Sequence, residues 1–243
     1  MNLFVITPTY NEVQNLPLLA KRVLALPVEG LHLLIVDDNS PDGTGQVAEK
    51  LRESDPGSIS VIHRSGKLGL GSAYIAGMSI ALESGAYAVA QMDADLSHPP
   101  ELLVKLFNSL QYADIALGSR YIPGGGVDQN WPLWRKSLSS FGNYYARRIL
   151  DLPVKDVTGG FRVWKSEVLE KMPLNRIRSN GYAFLIELSY VASLLNFTFM
   201  ECPFYFPNRE SGHSKMSLPI QLEAAYRVWK MRLEYRDLKN KNR

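Results

Sequence analysis

The chain has 243 residues, of which 46% are hydrophobic, so it can bury the core of one large globular domain or of two small ones. Its single cysteine, Cys202, excludes an intrachain disulfide, and no apolar run approaches the ~18 residues that a membrane-spanning helix needs. The formal net charge is +3, yet the sequence from Arg227 onward carries +5, so positive charge is concentrated at one end.

The N-terminal sequence MNLFVITPTYNE has neither the basic start nor the apolar segment of a signal peptide. We therefore expect a mature chain that starts near Met1, in a reducing, cytoplasmic compartment, with no transmembrane segment and no nucleic-acid partner. The basic end is either a solvated helix or a surface for a membrane or an acidic partner, and composition leaves both open.

Five short apolar runs rich in valine and isoleucine come first along the chain: LFVITP, HLLIVDDN, ISVIHR, AYAVAQMD and DIALGSRY. Helical patterns fill the intervals near 12–25, 42–54, 70–84 and 99–110. This alternation is typical of βαβ units, and strands that are apolar throughout are covered on both faces. The sequence therefore predicts an α/β fold, a single Rossmann-like domain with a mostly parallel central sheet and helices on both faces.

The second half of the chain has a different pattern. A glycine loop at 124–126 precedes the amphipathic segment WPLWRKSLSSFGNYYARRIL, which predicts a helix. TGGFRVW, a helix around 182–195, the strand-like FTFMECPFYF and the polar loop NRESGHSK follow in that order. A last helix begins near 217, so we interpret 1–216 as the main domain and 217–243 as a basic amphipathic helix of the same unit.

Acidic residues follow three of the predicted strands, in TPTYNE, VDDNSPDGT and MDADLSHPP. Ligands of open α/β sheets bind beyond the carboxyl ends of the strands, so these side chains should meet at one edge. The carboxylates expected there are Glu12, Asp37, Asp38, Asp93 and Asp95. A divalent cation would relieve their repulsion, and Asp93 and Asp95, as alternate residues, should point the same way and share it. In the alternative interpretation, Asp38 and Asp42 only cap a helix and form a turn.

The G-x-G of KLGLGSAYIAG, residues 67–77, opens a predicted helix. It lacks the third glycine of the dinucleotide fingerprint and the GK[ST] of a phosphate loop. We therefore expect a tight turn that lets the helix pack closely, and a Rossmann dehydrogenase is disfavoured.

Cations and one histidine lie in or beside the irregular segments. The cations are Arg120 after IALGS, Arg135 one helical turn before Ser139, and Arg209 and Lys215 around Gly212. A forked guanidinium beside a hydroxyl suits a phosphate, whereas surface ion pairs are the alternative. His98, which precedes two prolines, is interpreted as a helix-entry residue rather than as a metal ligand.

Eight motifs occur in this order: PTYNE, VDDNSPDGT, GLGSAY, MDADLSHPPE, GSRY, NWPLWRK, DVTGGFR and R-x-x-G-x-S-K. Together they resemble the family-2 glycosyltransferases of GT-A (nucleotide-diphospho-sugar transferase) fold, most closely the dolichol-phosphate (polyprenyl-phosphate) mannose synthases, over residues 3 to about 216. The resemblance implies an inverting transfer of mannose from GDP-mannose to dolichyl or polyprenyl phosphate, with Mg²⁺ or Mn²⁺ as cofactor. It also makes 1–216 a catalytic domain.

The resemblance further implies roles for single residues of the donor site. The guanosine would contact Pro8, Tyr10, Glu12, Val36 and Asp38. The diphosphate and the metal would contact Asp93, Ala94 and Asp95, and Ser97, a glutamine in some members, would be a weaker or water-mediated metal ligand. The cations expected on the phosphates are Arg120, Arg209 and Lys215.

On the acceptor side, the resemblance implies that Arg135 and Ser139, together with Arg209, receive the lipid phosphate. Asp156 would orient the sugar or the acceptor, which completes a catalytic set of Asp93, Asp95, Arg120 and Asp156. Ser211 stands where some relatives carry a second basic residue.

A lipid substrate also implies peripheral association with the cytoplasmic face of a membrane. Some relatives carry transmembrane helices after the catalytic domain, and others are held by a small membrane-anchoring subunit, which is a candidate partner here. The candidate membrane-facing residues are Trp131, Trp134, Phe141, Tyr145, Leu222, Tyr226, Trp229 and Leu233. Ordinary core packing is the alternative for all of them.

Two other functions stay open at this stage. One is a polyprenyl-phosphate glucosyltransferase that uses a UDP-sugar, or another family-2 transferase, because no residue pattern separates guanine from uracil. The other is a non-catalytic nucleotide-sugar-binding subunit, for which an incomplete acidic edge would be expected.

Overall fold

A computed structural model of the protein describes residues 1–207 and 218–241, except the side chains of 135, 218–224, 240 and 241. Within them the strands are β1 (Leu3–Thr9), β2 (Leu31–Asp37), β3 (Ile59–His63), β4 (Ala88–Gln91), β5 (Ile115–Ser119), β6 (Gly126–Val127), β7 (Arg162–Lys165), β8 (Phe199–Pro203) and β9 (Tyr205–Phe206). The helices are α1 (Leu16–Leu24), α2 (Thr44–Ser54), α3 (Leu70–Glu83), α4 (Leu102–Ser109), α5 (Leu133–Leu150), α6 (Ser166–Lys171), α7 (Gly181–Leu194), α8 (Leu218–Glu234) and α9 (Arg236–Lys241). A short 3-10 helix lies at Leu174–Arg176.

The central sheet has the strand order β3-β2-β1-β4-β7-β5-β8. Strand β7 runs antiparallel to both of its neighbours, β4 and β5. The other pairs in this sheet are parallel. The expected α/β fold with a mostly parallel sheet is therefore confirmed. A second, two-stranded sheet joins β6 to β9.

Apolar side chains of β1 alternate between the two faces of the sheet. Leu3 and Val5 belong to one buried cluster, and Phe4 and Ile6 belong to the other. Burial of each such side chain stabilises the fold by ~1.5–3 kcal/mol relative to exposure. Helices cover both faces, as the uniformly apolar strands predict.

The first helix begins later than the pattern suggests. Asn11 adopts φ +62°, and the Asn15 amide donates to the Glu12 carbonyl at 3.1 Å, so residues 11–15 form a turn. Helix α1 then begins at Leu16 with a proline in its first turn. The acidic residue Glu12 therefore lies in a loop at the edge of the sheet.

Helix α8 packs on the same core as the rest of the chain, through the buried residues Val228 and Met231. Trp131 is also buried, with its ring 5.8 Å from that of Phe206, so the expectation that it faces a membrane is wrong. Tyr145 is partly buried and accepts a hydrogen bond from Trp229 Nε1. We use the name outer aromatic face for the exposed residues Leu133, Trp134, Phe141, Tyr226, Trp229 and Leu233. The side chain of Leu222 lies outside the described residues.

Across 1–207 and 218–241, none of the helices combines the length and the apolar character needed to cross a bilayer.

Candidate active site

The carboxyl ends of β1 and β2 are joined by the side chain of Asp37. Its Oδ1 accepts hydrogen bonds from Thr9 Oγ1 at 3.1 Å and from Ser40 Oγ at 2.6 Å, and its Oδ2 accepts one from the Ser40 amide. The carboxylate is buried within this turn. Asp37 therefore lies at the predicted edge of the sheet, where its carboxylate holds the turn after β2.

Asp42 holds the loop before α2. Its Oδ1 accepts from the amide and the hydroxyl of Thr44, and its Oδ2 accepts from the Val13 amide. Partial burial alone would raise the pKa of Asp42, but the bonds from Thr44 and Val13 hold that pKa below its ordinary value. Of the N-cap and turn roles considered for Asp38 and Asp42, the structure shows a turn role for Asp42, and the N-cap of α2 is Gly43.

Asp38 forms a buried ion pair with Arg64, whose Nη1 lies 2.8 Å from Asp38 Oδ1. Burial raises the pKa of Asp38, and the opposing charge of Arg64 only partly offsets it. Arg64 also donates to the Gly69 carbonyl and to Ser72 Oγ. Sequence reasoning missed Arg64, although it ends the apolar run ISVIHR at the same edge of the sheet.

The other residues expected around the nucleoside also lie at or near the carboxyl ends of β1 and β2. Lys67 Nζ lies 4.1 Å from the centre of the Tyr10 ring, and Glu12 accepts a hydrogen bond from Asn15 Nδ2. Pro8 is partly exposed in β1, next to its end. Val36 is fully buried in the core, and its backbone lies between β1 and β3, so no part of it is exposed to a ligand.

The predicted tight turn at the G-x-G sequence is confirmed. Gly69 adopts φ +100°, and a β-carbon on it would lie 2.9 Å from Asn180 Oδ1. A β-carbon on Gly71 would lie 2.8 Å from the Ser179 carbonyl oxygen and 2.9 Å from the Phe184 ring. The start of α3 thus packs directly on the segment that leads into α7.

Asp93 lies in a turn after β4 and is held from two sides. Its Oδ1 accepts a hydrogen bond from the buried hydroxyl of Tyr74 at 3.1 Å, and its amide donates to His98 Nδ1 at 3.1 Å. Since Nδ1 is an acceptor, the ring proton of neutral His98 lies on Nε2, which faces Asp93 Oδ2 at 3.9 Å. His98 is buried and stacks on Phe161, which agrees with a structural role rather than that of an exposed ligand.

Asp95 lies in the same turn. Its Oδ1 accepts from the amide of Ser97 at 3.1 Å and from Ser97 Oγ at 2.6 Å, and Leu96 between them adopts φ +59°. Strand β4 ends at Gln91, so strand alternation does not place the two aspartates, and that part of the sequence argument is wrong. The turn geometry of 93–98 places them instead.

The donor atoms in this turn fit a partly hydrated divalent cation. Within the described chain, no three His, Cys, Asp or Glu side chains form a metal-binding group. Mg²⁺ commonly uses only one or two carboxylates and takes its other ligands from water and substrate phosphates. The side chain of Asp93 is 30% exposed, whereas Ser97 is buried and bonded to Asp95. Asp93 and Asp95 therefore suit the metal, and Ser97 supports Asp95. The neighbouring Ala94 is also buried.

Arg120 and Asp156 form a second buried ion pair. Nε and Nη2 of Arg120 each donate to one oxygen of Asp156 at 2.7 Å, and the Arg120 amide donates to Oδ2 at 3.0 Å. Burial alone would raise the pKa of Asp156, but the charge and hydrogen bonds of Arg120 lower it. Nη2 also donates to Thr158 Oγ1. The pair fixes Arg120 directly after β5, and both oxygens of Asp156 accept hydrogen bonds from Arg120.

Ser139 lies near this pair, in α5. Its hydroxyl is 2.7 Å from that of Tyr121, and its carbonyl accepts from Asn143 Nδ2, which also donates to Thr158 Oγ1. The structure therefore brings Ser139 and Arg120 into one hydrogen-bonded region. The side chain of Arg135 and the residues Arg209 and Lys215 lie outside the described residues, so their phosphate contacts stay predictions.

Arg162 is a fully buried cation that sequence reasoning did not single out. Its guanidinium donates to the carbonyls of Gly159, Leu185 and Val157 and to Ser189 Oγ. Burial lowers its pKa to about 10. These bonds fix the segment 157–160, where a β-carbon on Gly160 would lie 3.8 Å from Asp93 Oδ1. Arg162 therefore supports the wall of the acidic turn.

The sheet order, with acidic turns beyond β2 and β4, is that of a GT-A-like α/β fold. Among solved structures, the chain is similar to glucosyl-3-phosphoglycerate synthase from Mycobacterium tuberculosis in complex with Mn²⁺, UDP and glucosyl-3-phosphoglycerate. The TM-score is 0.63 at 18% identity, over 96% of this chain and 78% of that one.

Residues 4–172 match the model of glycosyl transferase family 2. The chain belongs to that family and is a glycosyltransferase. Polyprenol monophosphomannose synthase of Mycolicibacterium smegmatis is 46% identical over 226 residues, which are 92% of this chain and 84% of that protein. Undecaprenyl-phosphate mannosyltransferase of Micrococcus luteus is 42% identical over 94% of this chain and 93% of its own length.

Proposed function

We propose that this enzyme transfers mannose from GDP-mannose to a polyprenyl phosphate, the dolichyl form included, with inversion at the anomeric carbon. The observation that carries the proposal is the 46% identity to polyprenol monophosphomannose synthase over 92% of the chain. The undecaprenyl-phosphate mannosyltransferase names the same sugar and the same class of acceptor.

Asp38 is suited to the guanine base. It is buried, and among the described residues its Oδ1 has no hydrogen bond of good geometry although Arg64 is 2.8 Å away. Guanine offers two adjacent N–H donors, which match the two oxygens of a carboxylate. The ring of Tyr10, which directly follows β1, supplies a stacking surface.

Asp93 and Asp95 are suited to the diphosphate end of the donor through Mg²⁺ or Mn²⁺. When bound, a divalent cation supplies positive charge that stabilises the departing nucleoside diphosphate. Mn²⁺ in the structural neighbour's complex supports a divalent metal here, on a shared fold. Tyr74, His98 and Ser97 hold the two carboxylates in place, which preorganises them for this charge.

The acceptor phosphate is already anionic at neutral pH, so its attack on the anomeric carbon needs no strong general base. This matches Asp156, whose low pKa and bonds to Arg120 make it a poor proton acceptor. We assign Asp156 to orienting Arg120, and Arg120 with Ser139 to the phosphates. Arg135, Arg209 and Lys215 are expected to complete the phosphate site.

The outer aromatic face is suited to a lipid surface. Trp134 and Phe141 are 64% and 63% exposed, and Trp229 of α8 is 52% exposed. Cations Lys230 and Arg232 lie on the same helix, α8. Aromatic side chains flanked by cations favour the interface of an anionic membrane, so we propose peripheral binding to the cytoplasmic leaflet.

The test is transfer of radiolabelled sugar from GDP-mannose, and in parallel from UDP-glucose, into a short-chain polyprenyl phosphate, with Mg²⁺ or Mn²⁺ and then with EDTA. We expect a lipid product from GDP-mannose alone, and only with metal. Product from the purified chain makes a membrane-anchoring subunit unnecessary for catalysis. Product from UDP-glucose alone would overturn the choice of donor.

A further inference from the structure

Helix α7 carries a fully buried carboxylate, Glu187, in an otherwise apolar stretch. Its oxygens accept hydrogen bonds from the amide of Ser179 at 2.8 Å, from the amide of Arg178 at 3.3 and 3.4 Å, and from the hydroxyl of Tyr235 at 2.8 Å. A buried carboxylate is unfavourable unless donors surround it. Here the donors come from the segment before α7 and from the C-terminal end of the chain.

Helix α8 also contacts this segment before α7. Arg227 in α8 donates from Nε and Nη2 to Ser179 Oγ at 3.1 and 3.0 Å, and its Nη2 lies 3.6 Å from Glu187 Oε1. Tyr235 follows α8, and burial together with Glu187 raises the pKa of its hydroxyl, so it stays a donor at neutral pH. Arg178 and Ser179 are thus fixed by Glu187 through their amides, and Ser179 also by Arg227 through its hydroxyl.

The far side of this segment supports the turn at Gly69. Asn180 and Ser179 lie so close to Gly69 and Gly71 that no β-carbon fits at either glycine. The same turn contacts the buried ion pair, because the Gly69 carbonyl accepts from Arg64 Nη1 at 3.3 Å. The backbone of Leu68 and of Gly69 also hydrogen-bonds to Asp38. Continuous contacts therefore lead from α8 to Asp38.

We propose that Glu187 is a positioning residue, through which helix α8 and Tyr235 set the geometry of the turn 67–71 that packs on Asp38 and Arg64. This rests on the proposed function in one respect, the binding of the donor nucleoside at Asp38. Glu187 touches no substrate in this scheme. It holds residues 178–180 against the turn. Tyr235 donates a hydrogen bond to Glu187, and Arg227 donates hydrogen bonds to Ser179.

The test compares two variants that each remove one hydroxyl from a contact of α8 or its C-terminal extension. Tyr235→Phe removes the bonds to Glu187 and to the Arg176 carbonyl. Tyr145→Phe removes two bonds between α5 and α8 and does not touch Glu187. Amide hydrogen exchange is measured in substrate-free protein over 177–181 and 67–71. Binding of GDP with Mg²⁺ is measured by calorimetry, and KM for the donor is separated from kcat.

We expect Tyr235→Phe to speed exchange in both segments by roughly 3- to 10-fold, the factor expected for one lost hydrogen-bond donor. GDP affinity should fall and KM should rise by a similar factor, with kcat changed less. Tyr145→Phe should leave exchange at 67–71 and GDP affinity unchanged. Faster exchange confined to 177–181, or equal effects of both variants on 67–71, would overturn the proposal.

Glu187→Gln provides a second variant that keeps the shape of the side chain. Its amide nitrogen replaces one of the two accepting oxygens, so either the amides of Arg178 and Ser179 or the hydroxyl of Tyr235 loses its acceptor, and the same two segments should exchange faster. Failure of the donor assignment is distinguishable, because GDP would then not bind the unaltered enzyme while the exchange comparison would still decide the role of Glu187.

Discussion

The hydroxyl of Tyr74 lies 3.1 Å from Asp93 Oδ1, so a buried phenol fixes one carboxylate of the candidate metal site. Tyr74 is fully buried and stacks at 6.1 Å on Phe184 of α7. Burial, reinforced by Asp93, raises its pKa well above the ordinary value, so the hydroxyl keeps its proton and remains a donor.

Tyr74→Phe should therefore weaken metal binding without removing a metal ligand. Loss of a bond that orients a ligand typically costs about 10-fold in metal affinity. Titration with Mn²⁺ followed by electron paramagnetic resonance measures this directly. Tyr87→Phe is the matched control, because Tyr87 is partly exposed and packs on Phe107, in contact with α4. Equal affinities in all three proteins would contradict the role of Tyr74.

Asp95→Asn and Asp95→Ala should abolish transfer while leaving the fold intact. Asp95 is bonded to Ser97 within its own turn and contributes little to core packing, so we expect kcat to fall at least ~100-fold, as for other lost charge-stabilising groups. Activity and thermal unfolding of the same preparations check this. Glu83→Gln, an exposed acid at the end of α3, is the control. Full activity of the Asp95 variants would contradict the assignment of Asp95 to the metal site.

Asp156→Asn should destabilise the protein at neutral pH, because it leaves the buried charge of Arg120 without its partner. Breaking such a pair costs about 3–5 kcal/mol. The folded pKa of Asp156 is lowered, so the unfolded state binds more protons in acid, and the stabilisation by Asp156 is present above pH ~3.8 and is lost below it.

Urea unfolding at pH 7, 5 and 3.5 tests this dependence. The gap in unfolding free energy between the unaltered protein and Asp156→Asn should be constant at pH 7 and 5 and should narrow at pH 3.5. Glu53→Gln, at an exposed position of α2, should show no gap at any pH. A gap that widens in acid would contradict the pairing.

Gly71→Ala should destabilise the fold, since its β-carbon would lie 2.8 Å from the Ser179 carbonyl and 2.9 Å from Phe184. Overpacking of this kind costs about 1–3 kcal/mol. Gly142→Ala in α5 is the matched control, because no atom lies within 4 Å of its β-carbon, and it should stabilise the helix by about 0.5–1 kcal/mol. Chemical unfolding of both variants measures the contrast, and equal shifts would refute the close contact.

Phe141→Ala should reduce binding to anionic lipid vesicles, since it removes an exposed aromatic ring from the outer aromatic face. A loss of about 3- to 10-fold in partitioning is expected from the apolar area removed. Flotation with vesicles measures it. Tyr112→Ala, a residue 76% exposed just after α4, controls for general loss of exposed aromatic surface. Unchanged partitioning of Phe141→Ala would place the membrane contact elsewhere.

Much of the sheet could be predicted because apolar runs and their spacing are local properties of the sequence. The acidic turns after β2 and β4 could be predicted for the same reason, since parallel strands bring their ends to one edge. The direction of β7 could not, because an isolated run such as FRVW pairs equally well in either direction until its neighbours are fixed.

The ion pairs could not be predicted because their partners are far apart in sequence. Nothing near Asp38 indicates Arg64, and nothing near Arg120 indicates Asp156. Arg162 and Glu187 did leave a signal, since each is a single charge within an apolar segment. A buried charge in such a position is rarely without donors or acceptors around it. Several hydrogen bonds to Arg162 and to Glu187 could therefore have been expected.

The place of β7 between β4 and β5 also determines the order in which the sheet can form. Strands β1 to β4 can pair once residue 91 has emerged from the ribosome, because β3-β2-β1-β4 are contiguous in the sheet. Strand β5 has to wait for β7 and β8, which are translated much later, and until then its apolar edges have no pairing strand. The part of the sheet formed by β1 to β4 can therefore assemble on the ribosome while the rest of the chain is still being made.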